Sequence, residues 1–304
     1  MDIDLLEDFI TLADELNFSA AATRRNVTQP AFSRRIKMLE QWLGAPLLRR
    51  TSRSVALTNA GRIFYLRASV IIRDIKRARE ETREAAGKAE RNLSIASTHA
   101  LSFTFVPRWM LQTIGHSSIN SASLITDSYA ECEALLLSGD AVFLICHRRP
   151  ETKNKLTTRQ FMSQTISQDV LVPLSAPDEN GEPRWSLDRA TADRPIPQLS
   201  YASASGLGRI LEEYWSENRS RPALQTQFSS DLAATLLEMV KEGQGVAWVP
   251  LSLAERDIKA GQLARAGGHE FDIPVDITLI RPTTRLSLHA EQFWQKAVNA
   301  HSKV

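Results

Sequence analysis

Apolar positions recur every three or four residues through Leu5, Leu6, Phe9, Ile10, Leu12, Ala13 and Leu16, which predicts an amphipathic helix that Asn17 can end. A tighter pattern follows. In "SAAATRRN", Ser19 is placed to cap a short helix whose Ala20, Ala21 and Ala22 let another helix approach closely. Asn26 and Val27 read as a turn, Thr28 as the cap of a third helix, and Pro30 falls in its first turn, where a missing N–H is harmless. Ile36, Leu39 and Leu43 give that helix an inward stripe, Gly44 stops it and Pro46 prevents its continuation. "PLLRRTSRSVALT" alternates as a two-stranded wing. From Thr58 to about Ala89, Ile63, Phe64, Val70, Ile71, Ile75 and Ala78 recur at helical spacing. So long a helix with so narrow a stripe cannot bury itself, and pairing with the same helix of a second chain is expected.

Beyond that helix the pattern alternates. "RNLSIAST", "ASLITDS" and "AVFLICH" read as strands, separated by the helical "FVPRWMLQTI" and "ECEALLLSG". "QDVLVPLS" opens a second run of the same kind: "IPQLSYAS", "GLGRILEEYW", "ALQTQFSS", "DLAATLLEMVKEG" and "QGVAWVP". Near Phe271 the composition returns to the first type and ends in the helix "LHAEQFWQKAVNA". The expectation is an α/β chain with parallel sheets in two lobes, like a periplasmic binding protein, behind a winged helix-turn-helix and a long linker helix. The expected bounds are 1–58 for the winged domain, 59–90 for the linker and 91–304 for the two-lobed domain. Within the last, lobe I holds 91–165 and 271–304, and lobe II holds 166–270.

The net charge of +2 over 304 residues says little, but its distribution says more. Residues 24–53 hold eight Arg and Lys against the single acid Glu40, the local excess that a polyanion-binding surface needs. In a helix-turn-helix the first residues of the second helix face base edges while flanking cations hold phosphates. Gln29, Ser33 and Arg34 carry the donors and acceptors that base edges require. Arg35 and Lys37 flank them, and Arg49, Arg50 and Arg53 sit at the wing. Ser19, Thr28 and Pro30 complete the face expected to meet double-stranded DNA.

The run "FSAAATRRNVTQPAFSRRIKMLEQWLGAPLLRRTSRSVALTNAGRIF" resembles the DNA-binding region of LysR-type transcriptional regulators. The small-residue helix, "TQPAFSRRI", "LE..LG..LL.R" and "LT.AG" come in the family's order and spacing. The resemblance implies a winged helix-turn-helix, a dimerising linker helix and a ligand-sensing domain, assembled as a homodimer or homotetramer. "DENGEPRWSLD", "GLGRIL", "GQGVAWVP" and "RPTTRLS" are further similar to the branch containing the hypochlorite-responsive LysR-type regulator, which implies an oxidative stress response through methionine oxidation. Leu207 and Leu232 stand where that mechanism wants methionine.

Ligands of open αβ sheets lie beyond the carboxyl ends of strands, against helix N-termini. The loops that fit are "STHALS", "SYASASGLGR", "FSSD" and "VAWVP", which place an effector site at Thr98, His99, Ser102, Ser203, Ser205, Ser230 and Trp248. Cys132 and Cys146 have no CxxC spacing, so neither a disulfide framework nor a zinc site is indicated. They remain candidates for oxidant sensing, as do Met110, Met162 and Met239. Gly206 and Gly208 lack the third glycine of a dinucleotide fingerprint, and no Walker loop, HExxH or GxSxG occurs. An enzyme needs His99 as base and Ser102 or Cys146 as nucleophile, and nothing orients such a pair, so neither catalysis nor a cofactor is expected. The acidic start "MDIDLLEDFI" is not that of a secretory signal, and no apolar run reaches the ~18 residues of a membrane span, so the cytoplasm is expected. The alternative left open is an architectural DNA binder with a vestigial, ligand-free sensor.

Overall fold

In the computed structural model, which describes residues 2–50, 55–86, 93–114, 122–149, 156, 159–202, 205–218 and 221–301, the first helix α1 (Ile3–Glu15) starts at Asp2, whose carboxylate accepts the Asp4 N–H. It closes at Leu16, in the left-handed region at φ 48°. Helix α2 (Phe18–Arg24) is capped by Asn17 and not, as expected, by Ser19. The Asn17 Oδ1 accepts from the Ser19 N–H at 2.9 Å and the Ala20 N–H at 3.2 Å, because an extended residue just ahead of the helix reaches both free donors. Helix α3 (Gln29–Leu43) follows an extended Thr28, carries Pro30 in its first turn and ends at Gly44 with φ 69°. Phe9, Phe32, Ile36 and Leu39 are fully buried between these helices, with Ala21 and Ala22 giving the close approach.

The wing is the antiparallel pair β1 (Leu48–Arg50) and β2 (Val55–Leu57). Helix α4 (Asn59–Ala85) begins after Thr58, whose hydroxyl accepts the Gly61 N–H at 2.9 Å and donates to the Pro46 carbonyl at 2.8 Å. A Cβ on Gly61 would stand 2.1 Å from the Leu47 carbonyl oxygen, which accounts for the glycine of "LT.AG". Tyr65, Ala68 and Ile72 tie α4 into the helix-turn-helix core, and the Tyr65 hydroxyl donates to Asp14 at 2.7 Å. Ile63, Leu66, Ile71 and Ile75 stay exposed.

The chain divides into two units, the first holding residues 1–89 and the second most of the remainder. The second unit starts with a βα run: β3 (Leu93–Thr98), α5 (His99–Thr104), α6 (Val106–Ile114), β4 (Ala122–Asp127), α7 (Tyr129–Ser138) and β5 (Phe143–Arg148). Strand β6 (Phe161–Ser175) leads to β7 (Ile196–Tyr201), α8 (Gly206–Glu217), β8 (Leu224–Ser230), α9 (Ala233–Lys241), β9 (Ala247–Pro250), α10 (Leu251–Lys259) and β10 (Ala264–Arg265). Strand β11 (Ile273–Pro282) returns, and α11 (Leu288–His301) closes the chain.

The main sheet runs β10-β6-β11-β5-β3-β4, with β9 also on β6, and β7 pairs β8 separately. Parallel pairing holds for β3 with β4 and β5, and for β7 with β8. It fails at β6 and β11, which are antiparallel to each other. One carries the chain into the second lobe and the other brings it back, so they must run in opposite directions. The expected lobe change at 165/166 falls inside the continuous β6. Helix α10 was not anticipated, because Pro250 ends β9 and opens α10 with no loop between them. The return to lobe I is held by α11, whose Trp294 stacks on Phe143 and whose Phe293 is tilted against the same ring, and by the Arg281–Glu291 pair at 2.6 Å. A second core around Leu171, Ile210, Val246 and Trp248 fills lobe II. Among the described residues no helix is long and apolar enough to cross a membrane.

Candidate functional site

Ser19, Thr28, Gln29, Pro30, Arg34 and Lys37 are exposed and Ser33 is half-buried. Arg34, Lys37 and, on the wing, exposed Arg49 make no ion pair or hydrogen bond among the described residues. Arg53 and the Arg50 side chain lie outside the described residues.

The other cations are already engaged. Arg35 Nη1 is 3.2 Å from Asp8 Oδ2, and Arg25 Nε is 2.7 Å from Asp8 Oδ1, with Asp8 itself fully buried. Arg24 pairs with Glu15 at 2.9 Å. Of the two adjacent arginines on α3, one is therefore held by the domain and the other is free to meet a polyanion.

In the second unit the carboxyl ends of β3, β4, β5 and β8 meet the starts of α5, α7, α8 and α9 around a cavity of about 40 Å³. Thr98 and His99 enter it from the first turn of the sheet, Asp127, Ser128 and Tyr129 from the second, and His147 from the end of β5. Ser205, Gly206, Leu207, Asp231 and Ala233 face them from lobe II. A Cβ on Gly206 would stand 2.8 Å from the Tyr129 Cβ, so the start of α8 approaches α7 only as glycine.

The polar groups of this wall differ in how they are satisfied. Asp127 Oδ1 accepts the Ser128 N–H at 2.6 Å, and Ser205 Oγ accepts the Gly208 N–H at 3.5 Å as the cap of α8. The Thr98 hydroxyl oxygen is buried without a hydrogen-bond partner. His147, 6% exposed, has Nε2 3.2 Å from Asp169 Oδ2, which also accepts the Ser252 hydroxyl at 2.6 Å. Burial by itself raises the Asp169 carboxyl, but His147, Ser252 and the Val170 N–H outweigh it and hold the group below its ordinary range. Burial pushes the Tyr129 phenol up, and its ring lies under the Arg209 guanidinium at 4.4 Å.

Of the residues that the sequence suggested, Thr98, His99 and Ser205 meet in this wall. Ser102 donates instead to the His99 carbonyl at 2.8 Å, and Ser230 Oγ accepts the Leu232 N–H at 3.1 Å. Trp248 is 1% exposed in the lobe II core, its indole N–H donating to the Phe271 carbonyl at 2.9 Å. Ser203 lies outside the described residues. Sequence reasoning missed Asp127, Ser128, Tyr129 and His147, and from the loop "FSSD" it singled out Ser230 and not Asp231. Asp127 ends β4 and Ser128 follows it in "LITDS", and both were open to the same rule as "STHALS"; His147 was hidden near the end of the apolar strand β5, one residue before Arg148. Cys132 and Cys146 are fully buried, and burial pushes both thiols up to about 12.

Residues 3–62 match the model of the bacterial regulatory helix-turn-helix protein, lysR family, and residues 86–301 match the LysR substrate binding domain. The chain belongs to the LysR family. It is a DNA-binding transcriptional regulator with an effector-binding domain, and not an enzyme. This LysR regulator is 30% identical over 291 residues to the HTH-type transcriptional regulator YjiE of Escherichia coli strain K12, covering 96% of the chain and 92% of that protein. It is 35% identical over 297 residues to BbuR of Bordetella bronchiseptica, covering 94% and 86%. Among solved structures, Vibrio fischeri DarR in complex with DNA superposes with a TM-score of 0.58 at 29% identity, covering 98% and 99%. Full-length HypT of Salmonella typhimurium, a hypochlorite-specific LysR-type regulator, gives 0.60 at 26% identity, covering 100% of both chains.

Proposed function

We propose that this LysR regulator acts in the cytoplasm as a homo-oligomer whose DNA affinity or register changes when a small polar effector enters the cavity at Thr98, His99 and Ser205. The observation that carries the reading is the wall itself: four helix starts around an opening whose Thr98 hydroxyl is buried and unsatisfied. An effector acts by favouring one arrangement of the sensor over another. Gln29, Ser33 and Arg34 read base edges, Ser19, Thr28 and Pro30 line the same face, and Lys37 with Arg49, Arg50 and Arg53 holds phosphate. The exposed Ile63, Leu66, Ile71 and Ile75 of α4 support pairing of linker helices. Half-sites then lie about one helical turn apart, or multiples of it.

The test is thermal melting of the full chain across a metabolite panel, followed by operator footprinting with any compound that stabilises it. Stabilisation together with a changed footprint supports the reading. Stabilisation by none of the compounds favours the architectural alternative with a ligand-free sensor.

Likeness to the hypochlorite-specific HypT favours a second reading, oxidant sensing. Cys132 and Cys146 are poor sensors for it, buried and held as thiols. Met162, 39% exposed, is the most accessible of the candidate thioethers Met110, Met162 and Met239. Hypochlorite treatment with peptide mass spectrometry decides: this reading needs Met162 oxidation to accompany a change in operator binding.

A further inference from the structure

We propose that the effector carries a positively charged amine, held between Asp127 and Asp231; the inference rests on the reading of the cavity as the effector site. Asp127 ends β4 in lobe I, and Asp231 follows β8 in lobe II, and both line the cavity. Asp127 spends one oxygen on the Ser128 N–H, and neither carboxylate forms an ion pair among the described residues. No Lys or Arg is among the described residues of the wall. The Arg209 guanidinium lies over the Tyr129 ring and is not part of the wall, although one of its nitrogens is buried without a partner.

The starts of α7 and α9 are where helix dipoles and free N–H groups would draw an anion, and the chain has put its own carboxylates beside both. An anionic effector therefore meets a negative charge at two of the four helix starts that would otherwise receive it. A cationic centre meets two carboxylates without a cation.

Two further polar groups line the same space. His147 is 6% exposed, its Nε2 is turned to Asp169, and its Nδ1 makes no hydrogen bond among the described residues. The Thr98 hydroxyl is buried and unpartnered. The starts of α5 at His99 and of α8 at Gly206 have no acid in their first turns, which leaves two helix starts open for a carbonyl or carboxylate of the same ligand. The site thus suits a small amine with a hydrogen-bond acceptor a few bonds away.

The experiment is calorimetric titration of the full chain with four compounds of nearly one shape: L-alaninamide, a cation; L-alanine, a zwitterion; lactamide, neutral; and L-lactate, an anion. Alaninamide and alanine are expected to bind at millimolar concentration, with lactamide and lactate silent. Asp127→Asn keeps the oxygen that accepts from Ser128 and Asp231→Asn is at an exposed position, so both variants fold. Each is expected to weaken alaninamide about tenfold. Lactate binding as tightly as alaninamide, amine affinity unchanged in both variants, or none of the four bound at about 10 mM overturns the proposal. A crystal structure with the bound compound separates the two failures. Lactate seated in the cavity overturns the charge assignment alone, whereas an amine bound elsewhere overturns the cavity as the effector site.

Discussion

Replacing Arg35 with alanine is expected to cost stability while leaving DNA recognition nearly intact, although its neighbour Arg34 behaves the other way. Arg35 Nη1 lies 3.2 Å from Asp8 Oδ2, and Asp8 is fully buried. The substitution leaves that carboxylate with Arg25 alone, whose Nε stays at 2.7 Å. One hydrogen bond to a buried charged group contributes roughly 1.5–3 kcal/mol. The Arg35 side chain is 37% exposed, so solvent screening trims the loss to about 1–2 kcal/mol. Urea melts of wild type, Asp8→Ala, Arg35→Ala and the double variant measure it, and the cycle should return a coupling of about 1 kcal/mol. Binding to cognate and scrambled duplexes should change by less than about threefold for Arg35→Ala, since the side chain was committed elsewhere. An unchanged melt together with a selective loss of cognate binding refutes the argument.

The remaining expectations are simpler. Arg34→Ala should weaken cognate binding by about 1–3 kcal/mol with a smaller effect on scrambled duplex, whereas Arg49→Ala should weaken both alike and reduce the salt slope by about one per half-site; equal losses for Arg34→Ala on both duplexes count against base reading. Cys132 and Cys146, both pushed up to about 12 by burial, should alkylate at pH 7 roughly a thousandfold more slowly in the native chain than in urea, and labelling at the rate of a free thiol contradicts their burial. Asp169 is held below its ordinary range, so its contribution is present above the unfolded value near 3.9 and is lost as pH falls through the folded one. Asp169→Asn should therefore destabilise by roughly 2 kcal/mol at pH 7, and the gap from wild type in melts should close below about pH 4; a gap that widens in acid has the sign wrong.

The helix-turn-helix was legible because its determinants are close in sequence. A left-handed Gly44, a proline in the first turn of α3, three small residues on α2 and an apolar stripe each act within one or two turns of chain. The cap of α2 was misplaced by two residues, since Asn17 and Ser19 carry equally good capping groups and only the backbone angle at Asn17 distinguishes them. In the second unit the alternation of strand and helix was read correctly over most elements. The antiparallel β6 and β11 were not, because strand direction depends on where the chain must go next and not on residue type.

By itself, then, the amino-acid sequence determined most of the order of elements, the recognition helix and the rule that ligands gather at strand ends, all consequences of local periodicity and backbone preference. Tertiary structure alone decided which charges remain free. Arg34 and Arg35 are neighbours of one residue type, and only the position of Asp8 on α1 separates a free cation from a paired one. Likewise Asp127 and Asp231 stand more than a hundred residues apart in the chain and read as ordinary strand ends until the two lobes bring them to one cavity. Electrostatic character is set by distances between groups, and folding is what sets those distances.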